Sequence, residues 1–368
     1  MPALSDRPAK DWEAISTPLA GEVMRPSALG SAEIAVWHQM MAGTPSLHRA
    51  FFTPAFAQAC ERATARAYVA ILHDRSRICG FLPFQFASAW HERIGLAERM
   101  GGALSQGAGL IGWPGLRIDA QMLLRLSGLA AFHVTQLMGD QDRFGLDAVW
   151  SHVGFVTDLK SGPEAYFTDL FYRDRGLVRD TERCLRKAQK TYGTLDFVRP
   201  EQITTDMLRQ LIAEKRLQYQ RTNVADPFEN SEHLRLVEIL NEAPSPDCRP
   251  VLTRLEVGGH ALAQHLGLQY HDVLSYWFPV YDHATRSVSP GRLLLWQIIR
   301  RASQDGIALI DYGEGDAPYK RELSTGSLRY GRAYWSRGGV RSLVARVWQS
   351  AEWRLQRRPP NPHHVPAT

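Results

Sequence analysis

The stretch from Arg249 to Gly313 restricts the fold more than any other part of the chain. PVLTRLEV, a Gly258-Gly259 turn, ALAQHLGLQY, a His271-Asp272 turn and VLSYWFPVYD alternate as three strands, and turns this short allow only antiparallel pairing. A helix, GRLLLWQIIRRASQ, follows and stops at Gly306, and then comes a wholly apolar strand, IALIDYG. Upstream, a charged helical stretch from Leu177 to Tyr192 leads through Gly193 into a short strand, TLDFVRP. Two helices, QITTDMLRQLIAEKRLQYQ and SEHLRLVEILNEA, fill the gap before the meander. The order strand, two helices, three-stranded meander, helix, strand defines one α/β unit.

Part of that order recurs earlier. SAEIAVWHQMMAG has helical spacing and stops at Gly43-Thr-Pro. FFTPAFAQACERATA is a second helix with Thr53 at the N-cap and Pro54 at the first helical position. AYVAILHDRSRICGFLPFQFAS reads as a β-hairpin, DAQMLLRLSGLA as a helix and AAFHVTQLM as a buried strand. The 368 residues, 44% hydrophobic and 22% charged, suffice for two cores of this kind. The expected division is a flexible leader over 1–30, a first α/β domain over 31–160, a second over 161–336 and a basic tail over 337–368.

Charge narrows the partners. The chain has 43 Lys and Arg against 38 Asp and Glu, a net +5. Leu328 to Arg358 holds eight Arg and one Glu, a net +7, so the remainder is about −2. A duplex nucleic-acid face over the body is therefore not expected. Cys60, Cys79, Cys184 and Cys248 are far apart and form no C-x-x-C, which points to a reducing compartment and no zinc ribbon. The N-terminus lacks an apolar signal segment, and no apolar run approaches the ~20 residues of a bilayer span. The expected location is cytoplasmic, with attachment to the inner membrane face as the variant that the tail allows.

The chemistry concentrates between Tyr281 and Lys320. Arg286-x-x-Ser289-x-Gly291 joins a strand to a helix, with Ser289 as N-cap and Pro290 at the first position. The backbone N–H groups of Gly291 and Arg292 then face outward at the positive end of the helix dipole, an arrangement that receives a phosphate or diphosphate. A well-capped core helix gives the same spacing without any ligand. After the next strand, Asp311, Glu314 and Asp316 cluster, and Tyr319-Lys320 follows Pro318.

These residues resemble the GNAT acyltransferase superfamily, whose acyl-coenzyme A pyrophosphate loop is R/Q-x-x-G-x-G/A. Ser289 replaces the first glycine, and Pro290 follows it. The SPG-x-x-L run and the later D-Y-G-x-G-D-x-P-Y-K are similar to the CelD-type branch, associated with cellulose, exopolysaccharide and holdfast production. They are also similar to the Fem-type peptidyltransferases, which carry two GNAT-like domains in tandem. The resemblance implies two tandem GNAT-like domains, each a mixed, mostly antiparallel sheet flanked by helices, the first a degenerate copy. It implies acetyl-CoA or another acyl-CoA as donor at Arg286, Ser289, Gly291 and Arg292. An amino sugar of a surface-polysaccharide precursor is the implied acceptor.

Such a transfer must remove a proton from an amine, protonate a thiolate and stabilise an oxyanion. Asp311 and Asp316 are the candidates for the proton, and Glu314 for contact with sugar hydroxyls. Resemblance to the Fem-type enzymes assigns Lys320 to the developing negative charge, with Tyr319 beside it. Tyr281 and Tyr312 are candidate acids for the thiol. The same resemblance sets the basic helix of Arg183, Arg186 and Lys187 near the acceptor, although a solvated charged face explains it as well. Tyr276 and Trp277 must face opposite sides of their strand; Trp277 is the candidate to stack on a sugar.

Other signals carry less. Gly107-x-Gly109-x-x-Gly112 precedes Trp113-Pro114-Gly115 rather than a helix, so it reads as a turn and not a dinucleotide loop. His260 and His265 face opposite ways on one strand, and no metal set is expected. His363-His364 lies in a Pro-rich tail. Val340, Leu343, Val344, Val347, Trp348, Ala351 and Leu355 share one helical face, with Trp353 and Arg354 breaking the pattern. Docking on the protein body or on an anionic membrane both fit that helix. Arg337-x-x-x-Arg341 also resembles arginine pairs that hold cyclic di-GMP. Two alternatives to acyl-CoA chemistry stay open: Fem-like aminoacyl transfer from charged tRNA, and a non-catalytic regulator binding a nucleotide messenger.

Overall fold

A computed structural model describes residues 19–356 apart from Ser76. Leu19–Met24 (β1) opens it as an antiparallel edge partner of Ala67–Asp74 (β2), so the end of the expected leader is ordered strand. Ser31–Ala42 (α1) and Pro54–Thr64 (α2) follow β1; the Thr53 side chain accepts from Phe56 N, as the Thr-Pro pair predicts. β2 and Arg77–Gln85 (β3) form the expected hairpin. Ala89–Ile94 (α3), Leu96–Arg99 (β4), the two-residue Ile111–Gly112 (β5), Ala120–Leu126 (α4) and Ala131–Met138 (β6) complete this run. Gly107 and Gly109 lie in the loop before β5, not in a nucleotide loop.

Val149–Asp158 (β7) leads into Pro163–Arg173 (α5) and Arg175–Tyr192 (α6). Asp196–Val198 (β8), Thr205–Thr222 (α7) and Ser231–Glu242 (α8) precede the meander of Arg249–Val257 (β9), His260–Tyr270 (β10) and Val273–Tyr281 (β11). Then come Pro290–Arg301 (α9), Leu309–Glu314 (β12), Pro318–Leu323 (α10), Gly326–Ser336 (β13) and Val340–Gln356 (α11).

The strands join in one mostly antiparallel sheet, ordered β1-β2-β3-β4-β6-β13-β7-β12-β11-β10-β9-β8, with β5 beside β3. β13, late in the chain, inserts between β6 and β7 and binds both antiparallel. Sequence alternation did not reveal β7, α5 or β13. In β13 the apolar rhythm is diluted by Arg329 and Arg332, while Tyr330 and Trp335 are buried.

Among the described strands two pairs are parallel: β4 with β6, at Leu96↔Ala131 to Glu98↔His133, and β11 with β12, at Val273↔Leu309 to Ser275↔Asp311. They mark the internal repetition. One apolar cluster spans both halves, uniting Trp37, Phe51 and Phe56 of the first with Phe228, Trp277 and Phe278 of the second. On the opposite side, α5, α6 and α9 cover β9–β12 with Leu170, Val178, Leu293 and Trp296.

Candidate acyl-donor pocket

β11 and β12 pair only as far as Ser275 and Asp311. Beyond that point β11 continues along β10 to Tyr281, while β12 turns away along β7. The split opens a pocket of about 450 Å³. Its walls are Tyr276 and Tyr281 of β11, the start of α9, Pro318 and Tyr319 of α10, and Lys215 of α7.

The four residues expected at a diphosphate all reach this pocket: Arg286, Ser289, Gly291 and Arg292. The mechanism at Ser289 differs from the expectation. It ends the short 3-10 helix His283–Val288 and begins α9 in one step, with φ 51° and ψ 53°. In that left-handed conformation its side chain makes no capping hydrogen bond. The family loop carries glycine at this position, which is the residue that tolerates φ > 0 without cost. The first bond of α9 runs from Leu293 N to Ser289 O. The N–H groups of Gly291 and Arg292 therefore have no partner within the helix and open on the pocket.

Side-chain charge surrounds that end. Arg286 is exposed and donates to His283 O at 3.4 Å. Partial desolvation and the charges of Arg221 and Arg286 hold His283 below its ordinary value. Arg292 departs from the expected role: its guanidinium donates to Asp180 of α6 at 2.5 Å, so it anchors α9 while its backbone lines the pocket. Lys187 reaches the Ser287 carbonyl at 3.3 Å, which puts α6 beside the donor loop. Arg186 is exposed with Glu182 at 3.9 Å and does not line the pocket. Arg183 pairs with Asp180.

The acidic cluster disperses. Asp311 accepts from Arg49 of the first half in a buried pair, and from Gly313 N at 2.8 Å. Glu314 accepts from Arg332 at 2.8 Å and lies 3.1 Å from His152. Asp316 is exposed and held by Arg321. Gly313, at φ 66°, causes the scatter, because β12 loses regular register with β7 between Asp311 and Glu314. None of the three lines the pocket.

Lys320 donates to the carbonyls of Tyr312 and Glu314 at 2.7 and 3.0 Å and so staples the turn after β12. Burial lowers its pKa, against the opposing pull of Asp311 and Glu314. Tyr319, beside it, does line the pocket, and burial pushes its phenol up to about 12. Tyr312 is buried against Thr157 at 2.6 Å, leaving Tyr281 as the candidate acid that faces the pocket.

Trp277 corrects an expectation. It is 7% exposed, packs on Phe51 and donates Nε1–H to Leu104 O at 2.7 Å, so it belongs to the core joining the halves. Its neighbour Tyr276 faces the pocket and stacks on His265 with ring centroids 4.1 Å apart.

Lys215 was not anticipated. It is 8% exposed and lines the pocket, donating to Pro279 O at 2.6 Å and to Gln218 Oε1 at 3.1 Å. Burial, with Lys320 adding repulsion, lowers its pKa to about 8. A signal did exist: Leu208, Leu211, Ile212 and Lys215 form one buried stripe of α7, and a lysine there is misplaced for a solvated face.

The first half has the same split, after Glu98 and His133, and a pocket of about 390 Å³ containing both. Its helix α4, however, is capped by Asp119, whose carboxylate accepts from Met122 N at 2.7 Å. The start of α4 does not line that pocket, and its capping carboxylate is unfavourable for an anion at this helix end.

The tail helix α11 docks through Ser342, which donates to Ala130 O at 2.7 Å, and through buried Ala345. Trp348 packs on Trp90 of α3 with ring centroids 5.7 Å apart, while Val340, Leu343, Val344 and Val347 stay exposed, so only the edge of the apolar face is docked. Arg341 donates to Arg93 O at 2.6 Å, and Arg337 is exposed. The structural placement of Trp353, Arg354 and Leu355 side chains, residues 1–18 and His363-His364 lies outside the described residues. Among the described residues no helix is long and apolar enough to cross a membrane, and no His/Cys/Asp/Glu group is arranged for a metal.

Residues 175–321 match a family model described as an acetyltransferase (GNAT) domain. No curated protein matches the sequence. In fold the chain is similar to FemX, with a TM-score of 0.54 at 9% identity over 89% of this chain and 99% of that one. It is also similar to the C-terminal domain (DUF2156) of a protein described as a lysylphosphatidylglycerol synthetase from Agrobacterium fabrum. That match has a TM-score of 0.50 at 11% identity, over 86% and 96% of the two chains. A tandem GNAT protein from the clavulanic acid biosynthesis pathway aligns at 0.49 and 13% identity, over 88% and 100%.

Proposed function

We propose, from the match of residues 175–321 to the acetyltransferase (GNAT) domain family, that the protein is an N-acyltransferase. It moves an acetyl or similar acyl group from acyl-CoA to an amino sugar of a bacterial surface-polysaccharide precursor. One observation carries the donor assignment: the β11/β12 split opens on the uncapped start of α9, beside Arg286 and Tyr319. The N–H groups of Gly291 and Arg292 would hold the diphosphate, with Arg286 adding charge from the rim. The thioester then extends along β11 into the cleft.

The aromatic and polar lining of Tyr276, Tyr281, Tyr319 and Glu322 suits a sugar amine, which presents apolar ring faces and hydroxyls together. The amine nitrogen attacks the thioester carbon. A neutral Tyr319 phenol suits hydrogen-bond donation to the tetrahedral oxyanion. The carbon–sulfur bond breaks, and Tyr281 supplies a proton to the thiolate. Lys320 acts at one remove by holding the turn that presents Tyr319. Aminoacyl transfer from tRNA fits less well, because the chain outside Leu328–Arg358 carries a net charge of about −2, and gripping tRNA phosphates needs a basic channel.

The exposed face of α11, with Arg341 and Arg346 beside it, supports contact with an anionic lipid surface.

Calorimetry with acetyl-CoA tests the donor site, and mass spectrometry of glucosamine incubated with acetyl-CoA tests the transfer. Binding in the micromolar range and an N-acetylated product are expected. Absence of acetyl-CoA binding would remove the donor assignment.

A further inference from the structure

We propose that Lys215 is the proton acceptor for the attacking amine; it is buried in the pocket wall, whereas Glu322, a carboxylate that also lines the pocket, is exposed to solvent. This rests on the donor-pocket assignment above and extends it. The three acids after β12 are turned to Arg49, to Arg332 and His152, and to Arg321, so none is available in the cleft. Lys215 is in the pocket wall, opposite the start of α9.

Its hydrogen bonds define the form that fits. A neutral amine has two N–H donors and one lone pair. Two acceptors are in place, Pro279 O at 2.6 Å and Gln218 Oε1 at 3.1 Å. With both N–H groups committed, the lone pair is left for the cavity.

The surroundings favour that form. Lys320 contributes a positive charge from the β12 side. His265, on β10 below, is fully buried; burial first and Lys215 second lower it to about 3, so it stays uncharged. Tyr219 presents its ring 5.1 Å from Nζ. Tyr276, Tyr281 and Tyr319 line the same cavity with Arg286, Arg292 and Glu322. Arg292 is paired with Asp180, and Glu214 on the same helix accepts from Gln264 at 2.7 Å. These conditions produce a lysine whose charge is lost near pH 8.

The step balances within the reaction itself. The amine nitrogen bonds to the thioester carbon and gives one proton to Lys215 Nζ, which becomes ammonium. The carbon–sulfur bond breaks, and the thiolate takes the proton of Tyr281. Lys215 returns its proton to the tyrosinate directly or through water, and both groups are restored.

Two measurements on the full chain test this. The first is competitive labelling with trace acetic anhydride across pH 6–11, read by peptide mass spectrometry. Lys215 should become reactive near pH 8, well before surface lysines, and coenzyme A should protect it. Titration together with the surface lysines, or no protection by coenzyme A, overturns the proposal. The second is kcat against pH with acetyl-CoA and glucosamine. Lys215→Met and Lys215→Arg should each lower kcat by about 10²-fold or more and lose the limb near pH 8, while calorimetric acetyl-CoA affinity persists. An unchanged pH profile in Lys215→Met overturns it, as does a stable acyl adduct on Lys215 that accumulates with acetyl-CoA alone. Loss of acetyl-CoA binding by the unmodified protein would instead defeat the donor-pocket assignment.

Discussion

Arg49 Nε donates to Asp311 Oδ2 with both side chains 3% exposed, tying the first half of the chain to the strand beside the donor pocket. Removing one partner strands a buried charge, which costs about 3–5 kcal/mol. Arg49→Met should lower stability by that amount in urea unfolding. Asp311→Asn should also destabilise, while the molecules that remain folded keep acetyl-CoA affinity. A selective loss of kcat in a fully stable Asp311→Asn protein would return Asp311 to the chemistry.

Ser289 occupies a left-handed conformation that disfavours any side chain. Ser289→Gly should therefore raise stability by about 1 kcal/mol and preserve acetyl-CoA binding, since the hydroxyl caps nothing. Differential scanning calorimetry and titration calorimetry check the two halves of this statement.

A Cβ added at Gly291 would meet only Tyr281 Cδ1, at 3.7 Å, so the fold tolerates a side chain there. Gly291→Glu places a carboxylate at the anion-binding end of α9. Acetyl-CoA binding should fall beyond detection in calorimetry while the unfolding midpoint hardly moves. An unaltered affinity would locate the donor elsewhere.

Lys215 links the site to stability. Its folded-state pKa, about 8, lies below the value near 10.5 for an unfolded lysine. Between those values the unfolded chain binds more protons, so stability rises with pH across that window and the full cost is present below it. Lys215→Met removes the cost. It should be up to about 3 kcal/mol more stable than the parent at pH 6, with the gap shrinking at pH 9 and above. Urea midpoints at the two pH values measure this.

Leu343 and Val347 are each 62% exposed on α11, so changing them leaves the docked face intact. Leu343→Glu/Val347→Glu should abolish co-sedimentation with vesicles containing anionic phosphatidylglycerol and spare acetyl-CoA binding. Equal sedimentation of parent and variant would mean that this face does not meet lipid.

The sequence disclosed what depends on local rules. Thr53-Pro54, the Gly258-Gly259 turn and the three alternating meander strands appear where periodicity and capping put them. The start of α9 was legible because proline placement at a first helical position is a local rule. The side-chain assignments were not, since they depend on tertiary partners. Asp311 is claimed by Arg49, 262 positions away, and Trp277 by Leu104, 173 positions away. Lys215 shares a buried stripe with Leu208, Leu211 and Ile212, and its place against Pro279 is likewise set by a tertiary partner, 64 positions away.

The position of Gly326–Ser336 between β6 and β7 bears on biosynthesis. While the ribosome is still translating, the nascent first half must wait with two open strand edges until this late segment emerges. Release of a chain cut short before Gly326 would leave those edges bare, a template for aggregation. Chaperone demand should therefore peak late in translation, and prematurely terminated products should be cleared by proteolysis rather than persist as a working fragment.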